Sequence, residues 1–479
     1  METVHLLAGH SGVEDLSVAL RRLQQDRWIC WDQDRNTLDL HPIVRRYAYA
    51  QLEKREAVHE LLAEHLASKA RGVVIQQNTA EPSGRLRRYA QPGAVRAEHW
   101  PARPAEVELL VELYYQLVKA GRSNAALSLY REHLAGQLYD RLGLYGVCVE
   151  LLDTLIDADS GTLRPASAAS AIQVWMLNEL ANAYAAVGQA RQATHIYRDA
   201  IDMCRNDRLG EAEAVIWANL AYQQVNLGEL QEAYSNLRKS LDGCQRGGDR
   251  VNEAIGYQDL ARIWAYQGSF SRAEQASGAA ERVATHLPRG QRPELLLFFR
   301  GLAALLSGQI RTGAERAREE YCRSRNEINE AHIVGANWLL GWSLTSLAAA
   351  ERDQRDAHLA EADVHLSEAL RGALRIKLTE IEPDILLARA RWQRETGDVE
   401  EARHFTKEAL RIADRCGYRL KLADIHNFLA DLDLAVGALN SAREHAEAAS
   451  ELARCDGPPH CYEAAHKESE RLLRVINLM

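Results

Sequence analysis

Small and apolar residues recur along this chain with a period of forty. Glycine stands at Gly188, Gly228, Gly268 and Gly308, Ala348 continues the count, and after an insertion of about nine residues it resumes at Gly397 and Gly437. Seven positions before each beat lies a small residue (Ala181, Ala221, Ala261, Gly301, Gly341, Ala390, Ala430), and five after each of the glycines another (Ala193, Ala233, Ala273, Gly313, Ala402, Ala442). A fixed period of this length marks a repeat array. Within a unit the apolar residues fall at helical spacing, as with Leu177, Leu180, Ala181 and Tyr184 before Gly188, and Ala193, Tyr197 and Ala200 after it. Each unit therefore predicts two antiparallel helices. The small residues let them approach closely, a contact that a bulkier side chain would overpack by about 1–3 kcal/mol. The glycine takes the left-handed turn between them. Units are expected over 174–207, 214–247, 254–287, 294–327, 334–372, 383–416 and 423–456, and residues 457–479, with Tyr462, Ala465, Leu472 and Val475, predict a capping helix.

Before the array the pattern is different. Leu16, Val18, Ala19, Leu20 and Leu23 predict a helix over Val13–Trp28. Ile29, Cys30 and Trp31, the polar turn Asp32–Asn36, then Leu38 and Leu40 predict a hairpin. His41-Pro42 opens a helix through Leu52, and Glu56–Ala70 predicts another. Residues 1–70 thus form one module. Residues 71–104 hold Gly72, Pro82, Gly84, Pro92, Gly93, Pro101 and Pro104 and predict a linker. Residues 105–171 predict irregular helical hairpins: Glu106–Ala120 with Asn124–Leu134 around Gly121, and Leu138–Leu142 with Tyr145–Ile156 around Gly143.

Composition narrows the function. The 479 residues are 47% hydrophobic and 26% charged, the balance of a folded chain. A net charge of -9 argues against a general nucleic-acid binder, which needs a basic face. The eight cysteines form no CxxC pair and predict reduced core thiols. The first residues lack the charged and apolar regions of a signal peptide, and Leu295–Phe299 is stopped by Arg300, so the expected location is the cytoplasm, with no membrane span.

The array resembles tetratricopeptide (TPR) repeats: Leu177, Leu180, Ala181, Tyr184, Gly188, Ala193, Tyr197 and Ala200 fall on that pattern, and Trp217, Leu220, Ala221, Gly228 and Ala233 repeat it. HEAT-like repeats have a similar period but fit the small-residue positions less well. The resemblance spans residues 172–456 and implies an all-α fold, a right-handed solenoid of helical hairpins. The run Leu40-His41-Pro42-Ile43-Val44-Arg45-Arg46-Tyr47-Ala48, after a hairpin flanked by tryptophans, resembles the winged-helix end of STAND-type signalling NTPases, the NB-ARC group. That resemblance implies that His41 and Arg45 lie at an interdomain switch, where the family's histidine approaches nucleotide. The ATPase core itself has no counterpart: there is no GxxxxGK[ST] phosphate loop. The expectation is either the C-terminal part of a longer machine, with the ATPase supplied by an upstream region or a partner, or a shortened relative that kept only the switch and sensor.

No catalytic constellation is present; there is no HExxH and no GxSxG. Cys455, His460, Cys461 and His466 do not have the spacing of a zinc finger, so no metal or other cofactor is expected. If the TPR register holds, the first helix of each unit lines a groove with Asn182, Tyr222, Arg262, Phe298, Leu302, Trp338, Trp342, Arg391 and Arg394. An aromatic middle flanked by arginines predicts anchors for a peptide or protein, with Arg262, Arg391 and Arg394 selecting acidic groups at the rim. The two-lysine carboxylate clamp of some TPR domains is absent, since Asn178 and Asn226 stand where lysines would be. The expected function is a sensor and scaffold whose groove binds a peptide or protein and relays this to an ATPase or effector. The alternative is a DNA-binding regulator with the winged helix on DNA.

Overall fold

The computed structural model describes residues 29–32, 37–40, 54–77, 104–157, 168–288, 296–325 and 329–479, with a few single positions such as Tyr49 and Leu163. The chain divides into two compact units. One comprises Met1–Pro82, Ala97–Gln137 and Thr154–Ser167; the other comprises Ser83–Arg96, Leu138–Asp153 and Ala168–Met479.

In the first unit β1 (Ile29–Asp32) and β2 (Thr37–Leu40) pair antiparallel, Ile29 opposite Leu40 and Asp32 opposite Thr37. His41 and Arg45 lie outside the described residues. Helix α1 (Arg55–Gln77) runs past Gly72, which the sequence reads as punctuation. One glycine in a helix costs only about 1 kcal/mol, too little to end it alone. It packs on α2 (Pro104–Lys119), and buried His59 Nδ1 lies 2.6 Å from Gln116 Oε1. Helix α3 (Ser123–Leu129) does not stop at Leu134 as expected. It continues through π-helical turns, Tyr130–Leu134 and Gly136–Arg141. Buried Tyr130, Leu134 and Leu138 recur every fourth position, a spacing that the wider π turn keeps in line.

The second unit includes α4 (Tyr145–Asp153) and continues as helical hairpins. They are α5 (Ser170–Ala186) with α6 (Ala190–Asn206), α7 (Gly210–Leu227) with α8 (Leu230–Gly247), and α9 (Arg250–Tyr266) with α10 (Phe270–Thr285). Next come α11 (Leu296–Leu306) with α12 (Ile310–Ser324), α13 (Glu330–Ala350) with α14 (Arg355–Ile376), and α15 (Glu382–Thr396) with α16 (Val399–Cys416). The last pair is α17 (Arg419–Ala435) with α18 (Leu439–Ala453), and α19 (Glu463–Leu478) caps the end. This is an all-α, TPR-like helical-repeat solenoid. Asp249, Asn329 and Asp398 cap helices by accepting a hydrogen bond from the backbone N–H three residues on.

The insertion is spread over the fifth hairpin. It lengthens α13 and α14 and widens the connection to α15, residues 377–381, which begins at left-handed Lys377 (φ 52°). Among the described residues α13 is the helix long and apolar enough to cross a membrane, and 72% of its apolar stretch is buried inside the fold. Its composition is that of a helix packed on several sides.

The array also packs against itself. A Cβ at Gly188 would stand 2.8 Å from both Thr379 Cγ2 and Cys416 Sγ, while Gly228 meets Arg419 and Gly268 meets Glu463. Each of these hairpin turns therefore abuts a segment several units further along. One core cluster joins Ala218, Val225 and Leu260 to Leu420, Ala423 and Tyr462. Glu380 N–H donates to Ala186 C=O at 3.4 Å, and Gln231 N–H donates to Asp456 Oδ2 at 2.9 Å.

Candidate functional site

The first helices of the hairpins bring the predicted groove residues together in separate groups. Asn182 belongs to none of them. It is fully buried in the first hairpin, where its Oδ1 accepts from Tyr197 Oη at 2.6 Å. Leu302 is buried, at 5% exposure, as core.

Tyr222 and Arg262 form the first group. The Arg262 guanidinium lies 4.1 Å from the centre of the Tyr222 ring and 5.8 Å from those of Tyr266 and Phe299. Its Nη2 donates to Asn226 Oδ1 at 2.7 Å, and Asn226 Nδ2 donates to Glu380 Oε1 at 2.8 Å. Arg262 is only 6% exposed, so it is not a rim residue as expected: the rings of Tyr222, Tyr266 and Phe299 and the Asn226 amide enclose it. Burial disfavours its charge, but Tyr222, Tyr266, Glu380 and Asp259 around it prevail and hold its pKa above the ordinary arginine value. Burial likewise pushes the Tyr222 hydroxyl up, as does the Glu380 charge.

The second group is an aromatic row. Phe298 and Trp338 have ring centres 5.8 Å apart, Trp338 and Trp342 stack at 5.7 Å, and Arg391 caps the row 5.3 Å from Trp342. Trp338 is buried, its Nε1 donating to Asp384 C=O at 3.1 Å, whereas Trp342 is partly exposed. The one-turn spacing of the tryptophans along α13 makes this stack possible. Arg394 stands apart, ion-paired with Asp431 and 5.0 Å from the Phe428 ring.

Several residues here carried no signal of their own in the sequence. Lys421 Nζ donates to Asp384 Oδ2 and to Glu380 C=O. Tyr462 Oη donates to Asp424 Oδ2 at 3.0 Å, and the Tyr462 ring meets Tyr266 edge-on at 5.0 Å. Burial pushes the Asp424 carboxyl up to about 6, against the pull of Arg391 and of the Tyr462 hydrogen bond. Glu380 could have been suspected, because it lies in the insertion that breaks the forty-residue period. An open cleft of about 400 Å³ lies elsewhere, between α6 and α8. Its Trp217 has Lys239 Nζ 4.1 Å from the ring centre and Arg205 at 5.1 Å.

Among the described residues no group of three or more His, Cys, Asp or Glu could hold a metal ion. His460 instead meets Gln267 at 3.0 Å, and the Cys461 thiol donates to Glu463 at 3.6 Å.

No family model and no curated protein matches this sequence. Solved structures do match. One is a STAND protein with a tetratricopeptide repeat sensor from Pyrococcus horikoshii, at 15% identity and TM-score 0.40, with 99% of this chain and 62% of that one covered. The chain thus spans 62% of that protein's length. A Rap conjugation gene regulator of the plasmid pLS20, solved in complex with the Phr peptide, matches at 11% identity and TM-score 0.50, with 77% of this chain and 96% of that one covered. A Rap protein complexed with competence and sporulation factor matches at 12% identity and TM-score 0.45, covering 78% and 98%. What is shared is the fold.

Proposed function

We propose that this chain is a non-catalytic sensor and scaffold. The inner face of its repeats binds a peptide or protein segment, and the N-terminal module, read as a winged helix, relays that binding to a STAND-type ATPase or effector in cis or in trans. The observation that carries the reading is the aromatic row Phe298–Trp338–Trp342, partly exposed at Trp342 and capped there by Arg391. An amphipathic ring beside a cation is what interface anchors are made of. A peptide array probed with the purified chain tests it. Trp342→Ala should weaken the captured peptides by about tenfold or more, as truncating an anchor does, with helicity retained. Unchanged binding, or a variant that unfolds, overturns the anchor assignment.

The chain by itself is proposed to neither bind nor hydrolyse ATP, and nucleotide affinity near about 1 μM by calorimetry would contradict that. His41 is proposed to act at the switch because the sequence predicts that it opens a helix, and a helix N-terminus favours an approaching anion. Signalling that survives His41→Ala, with an ATPase partner supplied, would remove it from the relay.

A further inference from the structure

The connection between α14 and α15 is longer than those after α8 and α16, because the insertion falls here. It is also held down at several points. Thr379 packs against Gly188, Glu380 N–H donates to Ala186 C=O, and Lys421 Nζ donates to Glu380 C=O. The Glu380 side chain then reaches the inner face of the early repeats, where Asn226 Nδ2 donates to its Oε1 at 2.8 Å. Asn226 is in turn held by Arg262, and the Glu380 charge acts on both Arg262 and Tyr222.

Beyond the Asn226–Glu380 bond, α9 holds further polar groups with unused hydrogen-bonding capacity. Arg262 lies beside the Tyr266 hydroxyl, but its buried Nη1 is within good hydrogen-bond geometry of no acceptor. Gln258, one helical turn earlier on α9 and fully buried, has neither amide atom bonded. An unmade hydrogen bond at a buried donor is costly, and a guanidinium beside amide donors is matched by a carboxylate, which offers two acceptor oxygens. Asp259 and the ion-paired Asp384 lie nearby, so only an acidic group that replaces Glu380 keeps the local charge unchanged.

We infer that Asn226, Arg262 and Gln258 form a carboxylate-binding site, occupied in the ligand-free protein by the chain's own Glu380 and taken over by a ligand carboxylate when the 377–381 connection lifts. This rests on the sensor reading and specifies its ligand as acid-bearing. It also sets binding against one of the contacts of closure: the ligand displaces the Glu380 contact between early and late repeats.

The test uses the full chain and Glu380→Gln, which keeps size and shape while removing the charge. Without any ligand, amide hydrogen exchange at residues 377–384 and at Asn226–Gly228 should accelerate by about tenfold or more in the variant. Fluorescein-labelled tetraglutamate, followed by anisotropy, should bind the variant roughly tenfold tighter than the wild type, and tetraglutamine should gain nothing. Adding Arg262→Gln should abolish the gain; if that double variant does not fold, the comparison of the two peptides decides. Unchanged exchange overturns the inference. So does faster exchange without a glutamate-specific gain, which would make Glu380 a structural strut only. If array peptides still bind the wild type in that case, the sensor reading stands. If no peptide binds either protein, both fall.

Discussion

Arg262 is charged and almost fully enclosed, which is tolerable because aromatic faces, an amide oxygen and acidic side chains surround it. The two tryptophans next along the inner face have unequal surroundings, and this separates their roles. Trp338→Ala removes a buried ring and should destabilise the fold by about 3–5 kcal/mol. Trp342→Ala should cost only about 1–2 kcal/mol, because its ring is only partly buried. Urea unfolding of the two variants checks the order. Asp424 supplies a pH signature. Its folded pKa of about 6 lies above that of an unfolded aspartate, so the protonated form favours the fold. That contribution is complete below about pH 4 and is lost as the pH rises through about 6. The difference in stability between wild type and Asp424→Asn should therefore drift against the wild type across this window. Its size is on the order of 2–3 kcal/mol, and a flat difference would remove the assignment. Burial produces the shift and the Asp384 charge adds to it, while Arg391, the Tyr462 hydrogen bond and Lys421 oppose it.

At the scale of elements, the hairpins and their turns were legible because each unit repeats one local solution. Small residues sit where helices touch, and glycine sits where the chain must turn. The turn glycines nevertheless have unequal duties. Gly188 has φ 87° and is overlain by Thr379 and Cys416, whereas Gly308 has φ 79° and open space around its missing Cβ. Gly308→Ala should cost the left-handed strain alone, about 1–2 kcal/mol. Gly188→Ala should add overpacking of about 1–3 kcal/mol to that. Equal losses in thermal unfolding would mean that the contact with the late repeats relaxes freely. Periodicity read less well before the array: the α3 segment continues as π-helical turns where a break was expected, since four-residue spacing of apolar positions does not by itself tell a π turn from two short helices.

At the scale of the second unit, closure changes what an end of the array means. In an open solenoid each repeat touches only its neighbours, and damage to the last helix stays local. Here Tyr462, at the start of α19, packs its ring on Tyr266 of the third hairpin and bonds Asp424. Tyr462→Ala should therefore accelerate amide exchange by about tenfold or more in Arg250–Tyr266, as well as in α17 to α19. Acceleration confined to the C-terminal helices would show that the two ends of the array are energetically independent.

The sequence alone determined the repeat, its period and the helical hairpin, because these depend on contacts within one unit or between adjacent ones. The Phe298–Trp338–Trp342 row was visible for the same reason. Whether that inner face is open was not, since it depends on small rotations between units that accumulate along the array. The tertiary structure decided that Arg262 is enclosed and that Asn226 finds Glu380, 154 residues away, as its partner. The same closure gives the inserted connection a place to dock. A pattern of forty residues contains no information about contacts made across that distance.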